Sequence, residues 1–229
     1  MAIVTMILGE SGTGKSTSLR NLNPAKTVLF QPIAKPLPFK SKEWTPLTTS
    51  NVLGSIRATD DAERIIKAMN SNTVLSNKDV IVIDDFQYIM ANEFMRRSHE
   101  KSFDKFNDIG RHAWDILDSA IKLPDHIRVY ILAHTNTDDF GKTKIKTIGK
   151  MLDEKITLEG MVTTVLRTQV IDGSYKFSTQ NNGFDTVKSP MDLFAERLID
   201  NDLQAVDNAI CDYYGIEAQP TETTNKEAA

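Results

Sequence analysis

The chain has 229 residues, 40% hydrophobic and 25% charged, with a formal net charge of −4, an ordinary globular composition that needs no disulfide staples to hold a core. Its single cysteine, Cys211, cannot close an internal bridge, which fits a reducing, cytoplasmic compartment; no apolar run approaches the roughly 18 residues of a membrane span. The acidic balance excludes general steering to nucleic acid, so such a partner must be met by a local basic patch.

In chain order, residues 2–8 read as a buried strand that runs straight into a glycine loop, and residues 15–22 as a short helix ending before Pro24. The strand has no basic leader before it, and cleaving it as a signal peptide would destroy the loop, so no targeting segment is expected. A second strand is expected at 27–30, then a proline-rich loop from Gln31 to Trp44 and no assigned element at 45–57. Thr59 is the expected N-cap of a helix whose apolar face is Ala62, Ile65, Ile66 and Met69.

The run Val80-Ile81-Val82-Ile83 predicts a core strand ending in Asp84 and Asp85. Residues 93–122 read as mostly helical, with Ile109, Ala113, Ile116, Leu117 and Ile121 as the apolar stripe. Another buried strand, 127–133, leads into His134, and 141–150 is basic and exposed. Asp172-Gly173 between two strand-like segments, 161–171 and 175–179, predicts a hairpin. A last helix covers 203–214. The expected organisation is one α/β domain over 1–215, a mostly parallel sheet flanked by helices with a late edge hairpin, and a disordered tail from 216 to 229.

Four groups of residues carry chemistry. The first is Gly9-Glu10-Ser11-Gly12-Thr13-Gly14-Lys15-Ser16, the G-x-x-x-x-G-K-S pattern between a strand and a helix. Glycines let backbone N–H groups turn inward around phosphates, Lys15 reaches the β- and γ-phosphates, and the Ser16 hydroxyl ligates Mg²⁺. Gly9, Ser11, Gly12, Thr13, Gly14, Lys15, Ser16 and Thr17 are therefore the expected contacts for ATP.

The second is the acid pair. Asp84 is expected to hold the Mg²⁺, while Asp85, pointing to the opposite face of a strand, either orients the attacking water or caps the next helix or turn. The third is His134, at the carboxyl end of a strand where α/β sheets bind ligands: a γ-phosphate sensor or a loop cap. The fourth is Lys142, Lys144, Lys146 and Lys150. Alternate lysines on an extended segment share one face, spaced for a nucleic-acid backbone, for a neighbouring subunit's ATP, or for solvent. Arg167 is a weaker candidate. Trp44, Phe39 and Phe30 either stack bases or close their loop against the core.

The glycine loop, the acid strand and the order loop, acid strand, sensor strand, basic loop resemble RecA-type P-loop ATPases, in particular short phage-encoded single-strand annealing and nucleotide-binding proteins. The segments that carry the likeness are 8–17, 34–39 (Ala-Lys-Pro-Leu-Pro-Phe), 82–86, 147–152 and 179–183, within a span from residue 3 to about 195. The resemblance implies ATP-Mg binding and hydrolysis and assembly into a ring or filament. It also implies single-stranded DNA as partner, met by the region 136–150, and a single-strand binding protein as a possible associate. Two departures stand out. The loop starts at residue 9, so no separate N-terminal domain is expected, and Gln31 comes after the second strand where such enzymes carry a catalytic glutamate. Either Asp85 takes that role, or hydrolysis is slow and ATP acts mainly as an assembly ligand.

Overall fold

The computed structural model describes residues 1–217. A nine-stranded sheet runs through the molecule in the order β3-β2-β4-β5-β1-β7-β8-β9, with β6 paired to β5 off that path. The strands are β1 (Ile3–Gly9), β2 (Thr27–Gln31), β3 (Ile56–Ala58), β4 (Val80–Ile83), β5 (Arg128–Thr137), β6 (Thr143–Ile145), β7 (Thr164–Ile171), β8 (Ser174–Ser178) and β9 (Leu198–Asp200). From β3 through β7 every pairing along the path is parallel, and β8 and β9 close the far edge antiparallel. The chain is thus α/β with a mostly parallel, helix-flanked sheet and antiparallel edge strands.

The sheet is covered on both faces because its central strands are apolar at successive positions. Alternation sends Ile81 and Ile83 of β4 to one core and Val80 and Val82 to the other; β5 divides likewise, Ile131 and Ala133 against Tyr130 and Leu132. The first core takes the apolar faces of α1 (Ala62–Met69), α2 (Asn72–Asn77), α3 (Gln87–Arg96) and α4 (Asp104–Ile121). The second takes α5 (Leu203–Tyr214) through Leu203, Val206 and Ile210, with Leu19, Leu37 and Trp44. Among the described residues no helix is long and apolar enough to cross a membrane.

Several boundaries differ from expectation. Residues 15–22 do not form an α-helix: Ser16–Asn21 is a 3₁₀ helix, because Pro24 forces an early end and Ser18 Oγ bonds back to the Lys15 carbonyl at 2.6 Å. The α1 cap is Asp61, whose carboxylate accepts from Arg64 N at 3.0 Å, two residues after Thr59.

The helical stretch at 93–122 begins earlier and breaks between α3 and α4. Lys105 takes up the carbonyls of Arg97, Ser98 and Glu100 there, and Arg97 gathers Glu93, Glu100 and Asp108. Edge strands β3 and β9 and the short β6 go beyond the expected elements, since three residues carry too little periodicity. The β7–β8 hairpin turns on Asp172 (φ 49°) and Gly173 (φ 76°), as the Asp-Gly pair predicts. The tail expected from 216 lies, beyond Glu217, outside the described residues.

Candidate functional site

The order of the strands assembles the site. β5 lies between β1 and β4, and its register sets His134 beside Gly9 where the glycine loop begins. The C-terminal ends of β1, β4 and β5 therefore bring the glycine loop, through Ser11, Gly12, Gly14, Lys15 and Ser16, together with Asp85 and His134 at one cleft of about 360 Å³, with Asp84 buried behind Ser16. Its wall also includes Lys35, Pro36 and Pro38 from the loop after β2, and Tyr175 from β8.

The loop is held from inside and below. Gly12 (φ 79°) and Gly14 (φ 97°) take the left-handed turns that a side chain resists. Thr13 Oγ1 donates to the Glu10 carbonyl at 2.7 Å and meets Thr168 Oγ1 at 2.6 Å, while Thr168 reaches the Leu8 carbonyl at 3.3 Å. Lys15 is buried and its ammonium donates to the carbonyls of Gly9 (2.9 Å) and Glu10 (2.8 Å). Burial lowers its pKa to about 8, against the upward pull of Asp85 and Asp84. Ser11 and Gly12 are exposed, and Thr17 lines the cleft.

Ser16 Oγ donates to Asp84 Oδ2 at 2.7 Å. The other oxygen, Asp84 Oδ1, is buried without a hydrogen-bond partner. Burial first, and then the charge of Asp85, push the Asp84 carboxyl up, with the Ser16 hydrogen bond opposing them. An anionic oxygen left unpaired in a buried position is costly unless a cation meets it. The donor set thus fits a divalent ion: one hydroxyl and one carboxylate with a free oxygen.

The acid pair does not divide as a strand would divide it. β4 ends at Ile83, and Asp85 sits in the left-handed region at φ 61°. The turn, rather than strand alternation, separates the two carboxylates: Asp85 lines the cleft and Asp84 is buried beneath Ser16. Asp85 does not cap α3, whose N-cap position is Phe86 without a side-chain bond. Its Oδ1 faces His134 Nε2 at 3.3 Å, and its Oδ2 pairs with Lys35 Nζ. Burial alone would raise its pKa; the hydrogen bonds from His134 and Lys35 outweigh that and hold it at about 2. His134 is steadied through its backbone N–H, which donates to Gln87 Oε1 at 3.1 Å, and by an edge contact with Tyr88.

From His134 the chain continues directly to the basic segment. β6 folds back on the end of β5, and Lys146 N donates to the His134 carbonyl at 2.8 Å. Thr143 and Ile145 are buried, whereas Lys142 and Lys146 are exposed and Lys144 is half-buried, so the lysines alternate onto one face as the sequence suggests. The hairpin turn adds Asp138, whose carboxylate takes the N–H groups of Phe140 and Lys142, and leaves the Phe140 ring 90% exposed. Lys150 is exposed further along.

Arg167 pairs with Asp185 at 3.7 Å. Phe30 is wholly buried and Phe39 packs edge-on to the buried Trp44, so these aromatics close their loop against the core. Lys35, Thr168, Gln87 and Tyr175 are site residues that the sequence patterns do not single out. Lys35 carries a usable signal, a lysine just past the carboxyl end of a buried strand; Thr168 and Tyr175 reach the site from strands far along the chain, where nothing local marks them. No protein-family model matches the chain, and no curated protein matches it.

Proposed function

We propose that this chain is a RecA-like P-loop ATPase that binds ATP with Mg²⁺ and uses it to bind single-stranded DNA in annealing or recombination. The observation that carries the reading is the Ser16–Asp84 hydrogen bond between the glycine loop and the acid turn, with an unpaired carboxylate oxygen beside it. Lys15 and the loop N–H groups would take the phosphates, since a phosphate oxygen is a stronger acceptor than the neutral carbonyls Lys15 now holds. Among the described residues no three His, Cys, Asp or Glu side chains form a metal group, so Mg²⁺ held by Ser16 and Asp84 would complete its shell with phosphate and water. When bound, the ion would neutralise charge on the phosphates. Asp85 and His134, which both line the cleft, would orient a water attacking the γ-phosphorus.

The DNA side of the proposal rests on the β5–β6 hairpin. It joins three lysines on one face to an exposed aromatic ring at its tip, and single strands are gripped by cations along the backbone and by stacking of bases. The backbone bond from Lys146 to His134 links that hairpin to the cleft. Self-assembly into a ring or filament, and association with a single-strand binding protein, belong to the same proposal through the family likeness.

A second reading, a nucleotide-gated scaffold with negligible turnover, is favoured by Gln31. It ends β2 where RecA-type enzymes, which the chain resembles, have a glutamate, and it is buried with its amide donating to the Lys35 carbonyl at 3.2 Å. An AAA-type accessory ATPase would place a helical lid after β5; here β5 is succeeded by β6, a single π-helical turn (Met151–Lys155) and a short 3₁₀ turn (Leu158–Met161).

The deciding measurement is ATP turnover during titration with a single-stranded oligonucleotide, with Lys15→Ala as control. Turnover that rises with DNA and vanishes in the control is the expected result. ATP binding without turnover would move the protein to the scaffold reading. Turnover indifferent to DNA would sink the annealing role.

A further inference from the structure

The loop leaving β2 is more than a connector. Segment 31–38 leaves the carboxyl end of β2 beside the cleft, and three of its residues, Lys35, Pro36 and Pro38, line that cleft. It is fixed along its length: the buried Gln31 amide holds the Lys35 carbonyl, Leu37 is buried in the second core, and two prolines restrict the backbone beside the lysine. Lys35 is therefore presented at a defined place rather than left to sample solvent.

Its ammonium pairs with Asp85 Oδ2, while His134 faces the other oxygen of the same carboxylate. Two donors thus converge on one anion at the end of the cleft. Lys35 also lies close enough to Lys15 for its charge to oppose protonation there. The pair differs from the structural cation Lys78, which is buried and satisfied by the carbonyls of Ala25 (2.9 Å) and Leu53 (3.0 Å). The Lys35 side chain is 41% exposed although its Asp85 partner is buried, so the ammonium is open to a more highly charged acceptor that enters the cleft.

From this geometry we infer that Lys35 is a cis-acting contact for the terminal phosphate of a bound nucleoside triphosphate, giving up Asp85 to a phosphoryl oxygen when the triphosphate enters. The inference rests on the proposed ATP function and deepens it: the cation that recognises the third phosphate comes from this chain's own strap, without a neighbouring subunit. Releasing Lys35 also frees Asp85 Oδ2 at the moment the triphosphate is present. A diphosphate, which lacks the third phosphate, should leave the Lys35–Asp85 pair intact.

The test is calorimetric titration, with Mg²⁺, of a non-hydrolysable ATP analogue and of ADP into wild type, Lys35→Ala, Lys35→Arg and Lys15→Ala. Lys35→Ala should weaken the triphosphate by about tenfold or more while ADP changes within about twofold, the loss of one charge-assisted contact. Lys35→Arg should keep most of the preference, and Lys15→Ala should weaken both nucleotides. If Lys35 served only to neutralise Asp85, its effect would vanish in an Asp85→Asn background; a phosphate contact predicts that the triphosphate-specific loss persists there. Should the alanine variant fold poorly, Lys35→Gln, which keeps most of the side-chain stem, carries the same prediction. Wild type that binds both nucleotides, with Lys35→Ala altering both equally or neither, overturns this inference alone. Wild type that binds neither overturns the ATP function and this inference together.

Discussion

At Gly9 there is no room for a side chain. A methyl group would lie 1.9 Å from Thr168 Oγ1 and 2.8 Å from Thr13 Oγ1. Thr168 is β-branched and its hydroxyl is engaged with Thr13 and the Leu8 carbonyl, so it cannot swing aside without breaking the bonds that hold the loop. Gly9→Ala should therefore cost about 1–3 kcal/mol, the range of an overpacked interior site, and weaken ATP binding because the loop must shift. Chemical denaturation of Gly9→Ala and of Gly9→Ala with Thr168→Ala checks this, the second change restoring most of the stability. A Gly9→Ala protein as stable as wild type would show that the contact is relieved elsewhere. Asp85 likewise owes its role to a single backbone position: its left-handed conformation, unusual for a non-glycine residue, turns its carboxylate toward Lys35 and His134.

At the scale of elements, the β5–β6 hairpin carries the proposed contact with DNA. Period-two geometry buries Thr143 and Ile145 and turns the lysines the other way, so removing the lysines leaves the pairing with β5 in place. We expect the combined change of Lys142, Lys144 and Lys146 to Ala to leave the circular dichroism spectrum unaltered. It should also weaken oligonucleotide binding and reduce the salt slope by about 2, at about 0.7 per phosphate neutralised on a single strand. Affinity and slope that stay the same would remove this hairpin from the interface. The neighbouring helices illustrate how side chains override periodicity: the apolar stripe of α4 is continuous, yet the α3–α4 break is set by Lys105 and Arg97 gathering carbonyls and acids.

Across the whole molecule, the end of the sheet opposite the cleft is tied to α5 by buried charge. Asp207 accepts from Arg128 Nε (3.0 Å) and Nη2 (2.9 Å) and from the Tyr130 hydroxyl (2.6 Å), and all three residues are at least nine-tenths buried. Removing Asp207 would leave the guanidinium buried with only the His126 carbonyl and strand the phenol. Asp207→Ala should cost about 3–5 kcal/mol, read as a drop in Tm of about 2–4 °C per kcal/mol for a chain of this size. ATP affinity of the folded protein should be unchanged, because Arg128 opens β5 while His134, at the cleft, lies near its other end. A loss of ATP affinity in step with stability would show that the two ends of the sheet are coupled.

Local chemistry was enough to read the core strands β1, β4 and β5, the Asp-Gly hairpin and the residues of the glycine loop, because apolar runs, turn residues and left-handed glycines act over a few neighbouring positions. The alternating lysines in and beside β6 were legible for the same reason. Other features depended on residues distant in sequence. The three-residue strands exist through their neighbours. The path of the acid pair was set by a left-handed turn at Asp85 that no pattern announces. Thr168 under the loop, Tyr175 beside it, Lys35 on Asp85 and Asp207 on Arg128 are brought together by the sheet order. Sequence by itself determined which residues could do chemistry; the tertiary structure decided which meet, since strand order and register are settled by burial on both faces of the sheet rather than by any one segment.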